Sequence, residues 1–170
     1  PESPYGIAKF ATELYLAYYA RIHKLDYIAL RFANVYGPRQ DPHGEAGVVA
    51  IFAGKLLADE RCKVFGTGEQ TRDYVYVDDV VDAFVRASEK GGGLVINIGT
   101  GVETSVNDLY ATMARVAGVD RAAVLAPARE GEVPRSALDA SRAAMQLGWK
   151  PWTDLAAGSA AVLDYFRTRG

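Results

Sequence analysis

Tyr27-Ile28-Ala29-Leu30-Arg31-Phe32 is a short run of aromatic, aliphatic and β-branched residues that stops at Asn34, ahead of Gly37-Pro38-Arg39-Gln40-Asp41-Pro42. Its composition predicts a short buried strand, and the breakers after it predict a polar loop. Upstream, Ser3 as N-cap and Pro4 in the first turn open a helix that runs to about Lys24, with Ile7, Phe10, Ala11, Leu14, Tyr18 and Ile22 on one apolar stripe. A strand that ends in a polar loop is where α/β folds place ligands.

The alternation continues downstream. Val48 to Ala58 reads as a helix, and Lys63-Val64-Phe65, the Gly66-Thr67-Gly68 turn and Asp73-Tyr74-Val75-Tyr76-Val77 read as a hairpin. Asp78 or Asp79 is placed to N-cap a helix to about Glu89, and Gly91 to Gly93 lead into the strand Leu94 to Ile98. Ser105 with Asp108 resembles a capping box and starts a helix to about Ala117, closed by Gly118. A strand over Ala123-Val124-Leu125, a loop from Pro127 to Pro134, a helix from Asp139 to Gly148 and a last helix from about Asp154 to Arg167 complete the chain. The fold class is therefore α/β, with few strands for a complete parallel sheet.

Composition narrows the function. With 170 residues, 49% of them hydrophobic, the chain supports one domain-sized core and lacks the signature of disorder. A net charge of -2 offers no basic stripe for nucleic acid and no polybasic cluster for an anionic membrane. Cys62, the single cysteine, fits a reducing cytoplasm, and no apolar run reaches transmembrane length. His23 and His43 lack a ligand-spaced partner, and Asp78-Asp79 reads as a helix cap, so no metal site is expected. Because the chain begins with Pro1 rather than Met, a processed or truncated N-terminus is the expectation.

Several residues carry candidate chemistry. Tyr5 and Lys9 are four apart on a predicted helix, so the ammonium can lower the phenol pKa from its usual value of about 10 and make a proton acceptor. The same helix also carries Tyr15, Tyr18 and Tyr19, and in isolation the pair reads first as part of a helix with ordinary tyrosines. Asn34 is either a turn residue or a ligand contact, and Arg72 and Arg129 are either solvated cations or a two-forked clamp on a diphosphate. Gly99-Thr100-Gly101 imitates the start of a dinucleotide fingerprint, but the third glycine position is Thr104, which favours a tight turn over a pyrophosphate cradle.

Four segments, in order, carry a resemblance: Tyr5-x-x-x-Lys9, Arg31-Phe32-Ala33-Asn34-Val35-Tyr36-Gly37-Pro38-Arg39-Gln40, Arg72-Asp73-Tyr74-Val75-Tyr76-Val77-Asp78-Asp79, and Asn97-Ile98-Gly99-Thr100-Gly101. Arg129-Glu130-Gly131-Glu132 and Leu147-Gly148-Trp149-Lys150-Pro151 follow them. The chain resembles the C-terminal half of the extended short-chain dehydrogenase/reductase family, in its NAD-dependent nucleotide-sugar epimerase branch. The resemblance implies the C-terminal part of a Rossmann-like fold plus a smaller α/β substrate-binding subdomain. Residues 1–34 and 79–100 would belong to the dinucleotide-binding fold, and residues 35–78 and 101–170 mainly to the sugar-nucleotide subdomain, the N-terminal Rossmann half being absent.

It further implies NAD as cofactor, contacted by Tyr5, Lys9, Phe32, Asn34 and Val35, with Tyr5 and Lys9 catalytic. A UDP-sugar would be held by Asn34, Val48, Val49, Val64, Phe65, Arg72, Arg129 and Glu132. The activity implied for the whole enzyme is epimerisation at C4 of a UDP-hexose, interconverting UDP-glucose and UDP-galactose. The same motifs are shared by nucleotide-sugar 4,6-dehydratases and would suit a non-catalytic nucleotide-sugar-binding module; the Pro38 to Val49 stretch looks more epimerase-like. The resemblance also implies a homodimer of the full-length enzyme through the Tyr-bearing helix. Without the missing half or a companion chain, this polypeptide is expected to be inactive, and the strands at Tyr27–Phe32 and Leu94–Ile98 to keep unpaired edges or uncovered faces.

Overall fold

The computed structural model describes residues 3–42 and 47–169; His43 to Ala46, within the stretch read above as epimerase-like, lie outside the described residues. The first helix, α1, spans Pro4–His23. The Ser3 hydroxyl accepts from the Gly6 N–H at 3.1 Å, and Lys24, at φ 58°, ends the helix by donating its N–H to the Tyr19 carbonyl. Thus the Ser-Pro start acts as its chemistry predicts. Strand β1 (Ile28–Phe32) follows and is tied back to α1 by a two-pronged contact of Arg31 with Glu13, at 2.7 and 2.6 Å. That guanidinium holds the Glu13 carboxyl below its usual range.

After Ala33 the chain stays extended as β2 (Asn34–Tyr36) but changes partners. Helix α2 (Val48–Leu57), β3 (Lys63–Phe65), β4 (Thr71–Arg72), β5 (Tyr74–Tyr76), α3 (Val77–Ser88) and β6 (Leu94–Ile98) come next. They are followed by β7 (Thr104–Ser105), α4 (Val106–Ala117), β8 (Val124–Ala126), α5 (Ser141–Leu147) and α6 (Leu155–Arg169). Among the described residues the strands pair in twos: β1 with β6, β2 with β5 and β3 with β8 in parallel, and β4 with β7 antiparallel. The Ala33 N–H still donates to Ile98, whereas the Asn34 N–H donates to Asp73, which marks the switch between partners.

The hairpin expected around Gly66-Thr67-Gly68 is not formed, because β3 pairs with β8 and β5 with β2. Gly66 and Gly68 both lie in the left-handed region, at φ 67° and 78°. Asn107, at the start of α4, fills the space beside Gly68 and donates to the Thr67 carbonyl at 3.0 Å and to Glu69 at 2.7 Å. The turn is therefore spent on docking to α4 instead of folding one strand onto the next. A second correction concerns Asp78 and Asp79, which sit inside the first turn of α3 instead of capping it, Tyr76 being the N-cap. Asp79 is buried, and its carboxylate accepts from the Thr153 N–H at 3.2 Å and hydroxyl at 2.9 Å. The Ser105 and Asp108 pair caps α4, with the Ser105 hydroxyl and the Asp108 carboxylate bonded directly at 2.7 Å.

Two buried clusters form. One joins Tyr36, Phe52, Val64, Tyr74, Leu109, Met113 and Leu163 from β2, α2, β3, β5, α4 and α6. The other joins Val75, Val80, Ile96, Ile98, Leu147 and Trp149 around β6, α3 and α5. Helix α5 also closes the outer edge of β6, where Arg142 donates to the Val95 carbonyl at 3.0 Å. Helix α1 buries none of its described residues, so its apolar stripe faces outward.

Candidate functional site

A cavity of about 480 Å³ opens where β1 ends and β2 and β5 begin. Phe32, Ala33, Asn34, Val35 and Tyr36 line one wall, Gln40 and Gly47 to Val49 at the start of α2 another, and Asp73, Tyr74 and Ser136 to Leu138 the rest. Tyr5 reaches its rim from the first turn of α1. The ammonium of Lys9 lies 5.2 Å from the centroid of the Tyr5 ring, a cation facing a π surface and set one helical turn behind the cavity. Burial raises the Tyr36 phenol, with the Asp79 charge adding to it, and pushes the Tyr74 phenol up to about 12, so both stay neutral donors over the ordinary pH range.

Asp73, at the floor of the cavity, is almost wholly buried. One carboxylate oxygen accepts from the Thr100 N–H at 2.9 Å and the Thr100 hydroxyl at 2.6 Å; the other accepts from Gly101 at 3.0 Å and Leu138 at 3.3 Å. This accounts for Gly99-Thr100-Gly101: the two N–H groups that a pyrophosphate would need already serve an internal carboxylate. The approach also demands glycine, since a Cβ on Gly99 would lie 2.5 Å from Asp73 Oδ2.

A second group gathers where β3 and β8 end. The Arg129 guanidinium stacks over the Phe65 ring, 4.1 Å from its centroid. Arg72 donates to the Thr71 and Val133 carbonyls, each at 2.7 Å, and meets Glu132 at 3.4 Å. The other Glu132 oxygen is 3.4 Å from the Gln70 amide, which also donates to the Phe65 carbonyl at 2.9 Å. Val64 is buried in the core, so only its backbone is available to a ligand.

The eleven lining candidates thus fall into two sets: Tyr5, Phe32, Asn34, Val35, Val48 and Val49 at the cavity, and Val64, Phe65, Arg72, Arg129 and Glu132 in the second group. Arg72-Asp73-Tyr74 is the stretch of chain that links them. Sequence reasoning missed Tyr36, Gln40, Gln70, Asp73 and Ser136 to Leu138. For Asp73 a signal existed, because a carboxylate heading the apolar run Tyr74 to Val77 must find partners if that run is buried. Among the described residues no group of three or more His, Cys, Asp or Glu could hold a metal ion, and no helix is long and apolar enough to cross a membrane.

Residues 1–99 match the NAD dependent epimerase/dehydratase family. The chain belongs to that family. A UDP-glucose 4-epimerase of Mycolicibacterium smegmatis is 52% identical over 170 residues, covering 99% of this chain and 54% of the relative. The crystal structure of a UDP-glucose 4-epimerase from Thermotoga maritima with UDP-glucose superposes with a TM-score of 0.96 at 52% identity, over 98% of this chain and 54% of that one. The UDP-glucose 4-epimerase of Thermus thermophilus in complex with NAD gives a TM-score of 0.88 at 39% identity, over 98% and 55% of the two chains. The fold is the Rossmann-like α/β fold of these epimerases, and the chain spans about half the length of the family members it matches.

Proposed function

We propose that the protein carrying this chain is an NAD-dependent epimerase acting at C4 of a UDP-hexose, interconverting UDP-glucose and UDP-galactose in the cytoplasm as a step of galactose metabolism. The observation that carries this reading is the convergence of Tyr5, Phe32, Asn34 and Val35 on one cavity, in a chain 52% identical to a UDP-glucose 4-epimerase with UDP-glucose bound. In this reading residues 1–34 and 79–100 serve the cofactor, while residues 35–78 and 101–170 mainly serve the sugar nucleotide.

The residues present fit the nicotinamide end of NAD: Phe32, Ala33 and Val35 give an apolar wall, and Asn34 and Tyr5 give polar groups at its margin. They do not supply a pyrophosphate cradle at Gly99 to Gly101, where the Thr100 and Gly101 N–H groups are taken by Asp73. When bound, NAD supplies the acceptance and return of hydride. Tyr5 then takes the proton of the sugar 4-hydroxyl and later returns it, and Lys9 holds the nicotinamide ribose. Asn34, Arg72 and Arg129 would hold the diphosphate as a pivot on which the hexose turns, with Val48 and Val49 presenting N–H groups of the α2 start. Glu132 accepts from the nucleotide ribose, and Val64 and Phe65 flank the base. A second copy of the enzyme packs on α1 through Ile7, Phe10, Leu14 and Tyr18, which are exposed.

The test is turnover of UDP-galactose to UDP-glucose by the full-length protein, with Tyr5→Phe alongside. The expected result is epimerisation lowered about 10²- to 10⁴-fold in Tyr5→Phe while UDP binding persists. A 4-keto-6-deoxy sugar as product would instead establish a dehydratase, and UDP binding without turnover would establish a binding module.

A further inference from the structure

We propose that Gln70 is a positioning residue for the nucleoside end of the substrate, its side-chain amide holding the Phe65 backbone and the Glu132 carboxylate in one arrangement. The inference rests on the reading of this group as a UDP-sugar site. Gln70 lies between β3 and β4, and its own carbonyl accepts from the Val106 N–H at 3.2 Å, which anchors it to the start of α4. Its side chain turns the other way. Nε2 donates to the Phe65 carbonyl at 2.9 Å and to Glu132 Oε2 at 3.4 Å. Both neighbours are acceptors only, so the amide is fixed with its NH₂ toward them.

The consequence lies in how Glu132 is shared. One of its oxygens faces Gln70 and the other faces Arg72, each at 3.4 Å, the long end of hydrogen bonding. A carboxylate shared between a neutral donor and a cation keeps both oxygens spread and loosely held, which suits a pair of vicinal hydroxyls. Without Gln70 the carboxylate is drawn wholly onto Arg72, since a planar guanidinium takes both oxygens when it can. That closure would tie up the ribose acceptor and the cation meant for phosphate together. It would also release the carbonyl of Phe65, whose ring is stacked under Arg129.

Calorimetry on the full-length protein tests this with UDP, UMP and inorganic pyrophosphate as probes, using Gln70→Leu and the isosteric Gln70→Glu. Both variants should bind UDP and UMP about tenfold more weakly at about pH 8, the size of one hydrogen bond to a charged group. Pyrophosphate loses only its contact with Arg72 and keeps those with Asn34 and Arg129, so it should weaken by less than either nucleotide, about threefold, and KM for the UDP-hexose should rise at unchanged kcat. Gln70→Glu adds a readout that a merely structural role does not move. The charged groups around that position are Glu132 and Arg72, with Arg129 over Phe65 and with Glu69 bonded to Asn107. Repulsion from Glu132 raises the introduced carboxyl, which on protonation donates again, so UMP affinity relative to wild type should recover toward about pH 5.5 in Gln70→Glu and not in Gln70→Leu. Wild-type affinities in Gln70→Glu at about pH 8, or an equal loss of all three probes with kcat, overturn the inference. A wild-type protein that binds no UDP overturns the reading beneath it instead.

Discussion

Asp73 and Thr100 meet twice, the same carboxylate oxygen accepting from the Thr100 N–H at 2.9 Å and from its hydroxyl at 2.6 Å. With Gly101 and Leu138 on the other oxygen, one buried side chain joins the strand pair β2 and β5, the turn after β6 and the loop before α5. The strand pair and the loop before α5 line the cavity, so its shape depends on a residue that need not touch a ligand. Asp73→Asn replaces one acceptor oxygen by a donor that faces N–H groups. Stability should fall by about 2–4 kcal/mol, read as a lower urea midpoint at unchanged slope. An unmoved midpoint would show that the turn holds without the carboxylate.

Gly158 tests how closely α6 is packed on the cavity wall. A Cβ there would collide with the Tyr36 hydroxyl and lie 2.7 Å from its ring carbon Cζ. In a free helix Gly→Ala gains about 1 kcal/mol, so the sign of the change is diagnostic. Gly158→Ala should destabilise by about 1–3 kcal/mol, and Tyr36→Phe should recover only part of that, because the ring carbon stays too close. A double-mutant cycle by chemical denaturation measures the coupling; a stabilised single variant contradicts the packing.

Much of this architecture was legible because its signals are local. The Ser3-Pro4 start, the Ser105 cap and the glycine stop at Gly118 are satisfied within a few residues of themselves, and they fell where the chemistry placed them. The strand pairing was not legible. β3 and β5 are three residues each and pair with strands far away in the chain, so the glycine turn between them was the only nearby cue and it pointed to the wrong partner. The same distance in sequence hid part of the site: Asp73 meets its donors at Thr100, Gly101 and Leu138, and Gln70 meets Glu132.

Glu103 makes a pH prediction. Its hydrogen bonds with Arg135 and then Thr71 lower its carboxyl to about 2 from an ordinary 4.5. A depressed carboxyl adds stability that is fully present above the unfolded-state value and is lost as pH falls through the folded one. Between about pH 4.5 and pH 2 the wild-type protein should therefore lose stability that Glu103→Gln does not, by denaturation at stepped pH. Parallel curves for the two proteins would remove Glu103 from the acid response.

Arg129 is held by the Phe65 ring and, in the proposed site, by a phosphate. Arg129→Ala removes both contacts and should weaken UDP binding about tenfold, with a shallower salt dependence than wild type. Arg129→Lys keeps the charge and loses the planar stack, so it should fall between the two. Titration at two ionic strengths separates the cases, and equal affinities across all three proteins would take Arg129 out of the site.

The outward stripe of α1 sets the last expectation. Leu14 and Tyr18 are 58% and 48% exposed, and with Ala11, Tyr15 and Tyr19 they line an apolar hollow. One such side chain on a surface is ordinary, but a contiguous apolar helix face in water is a surface awaiting a partner. Burying two large apolar side chains is worth about 1.5–3 kcal/mol each, so placing carboxylates at both positions removes about 3–6 kcal/mol from a dimer built on this face. Leu14→Glu with Tyr18→Glu should thus raise the dimer dissociation constant of the full-length protein by about 10²- to 10⁴-fold, seen as a monomer by sedimentation equilibrium. The cavity lies beyond the first turn of the same helix, so UDP affinity should stay within about twofold of wild type if the two faces act separately. A double variant that remains dimeric would assign this face to something other than a second copy.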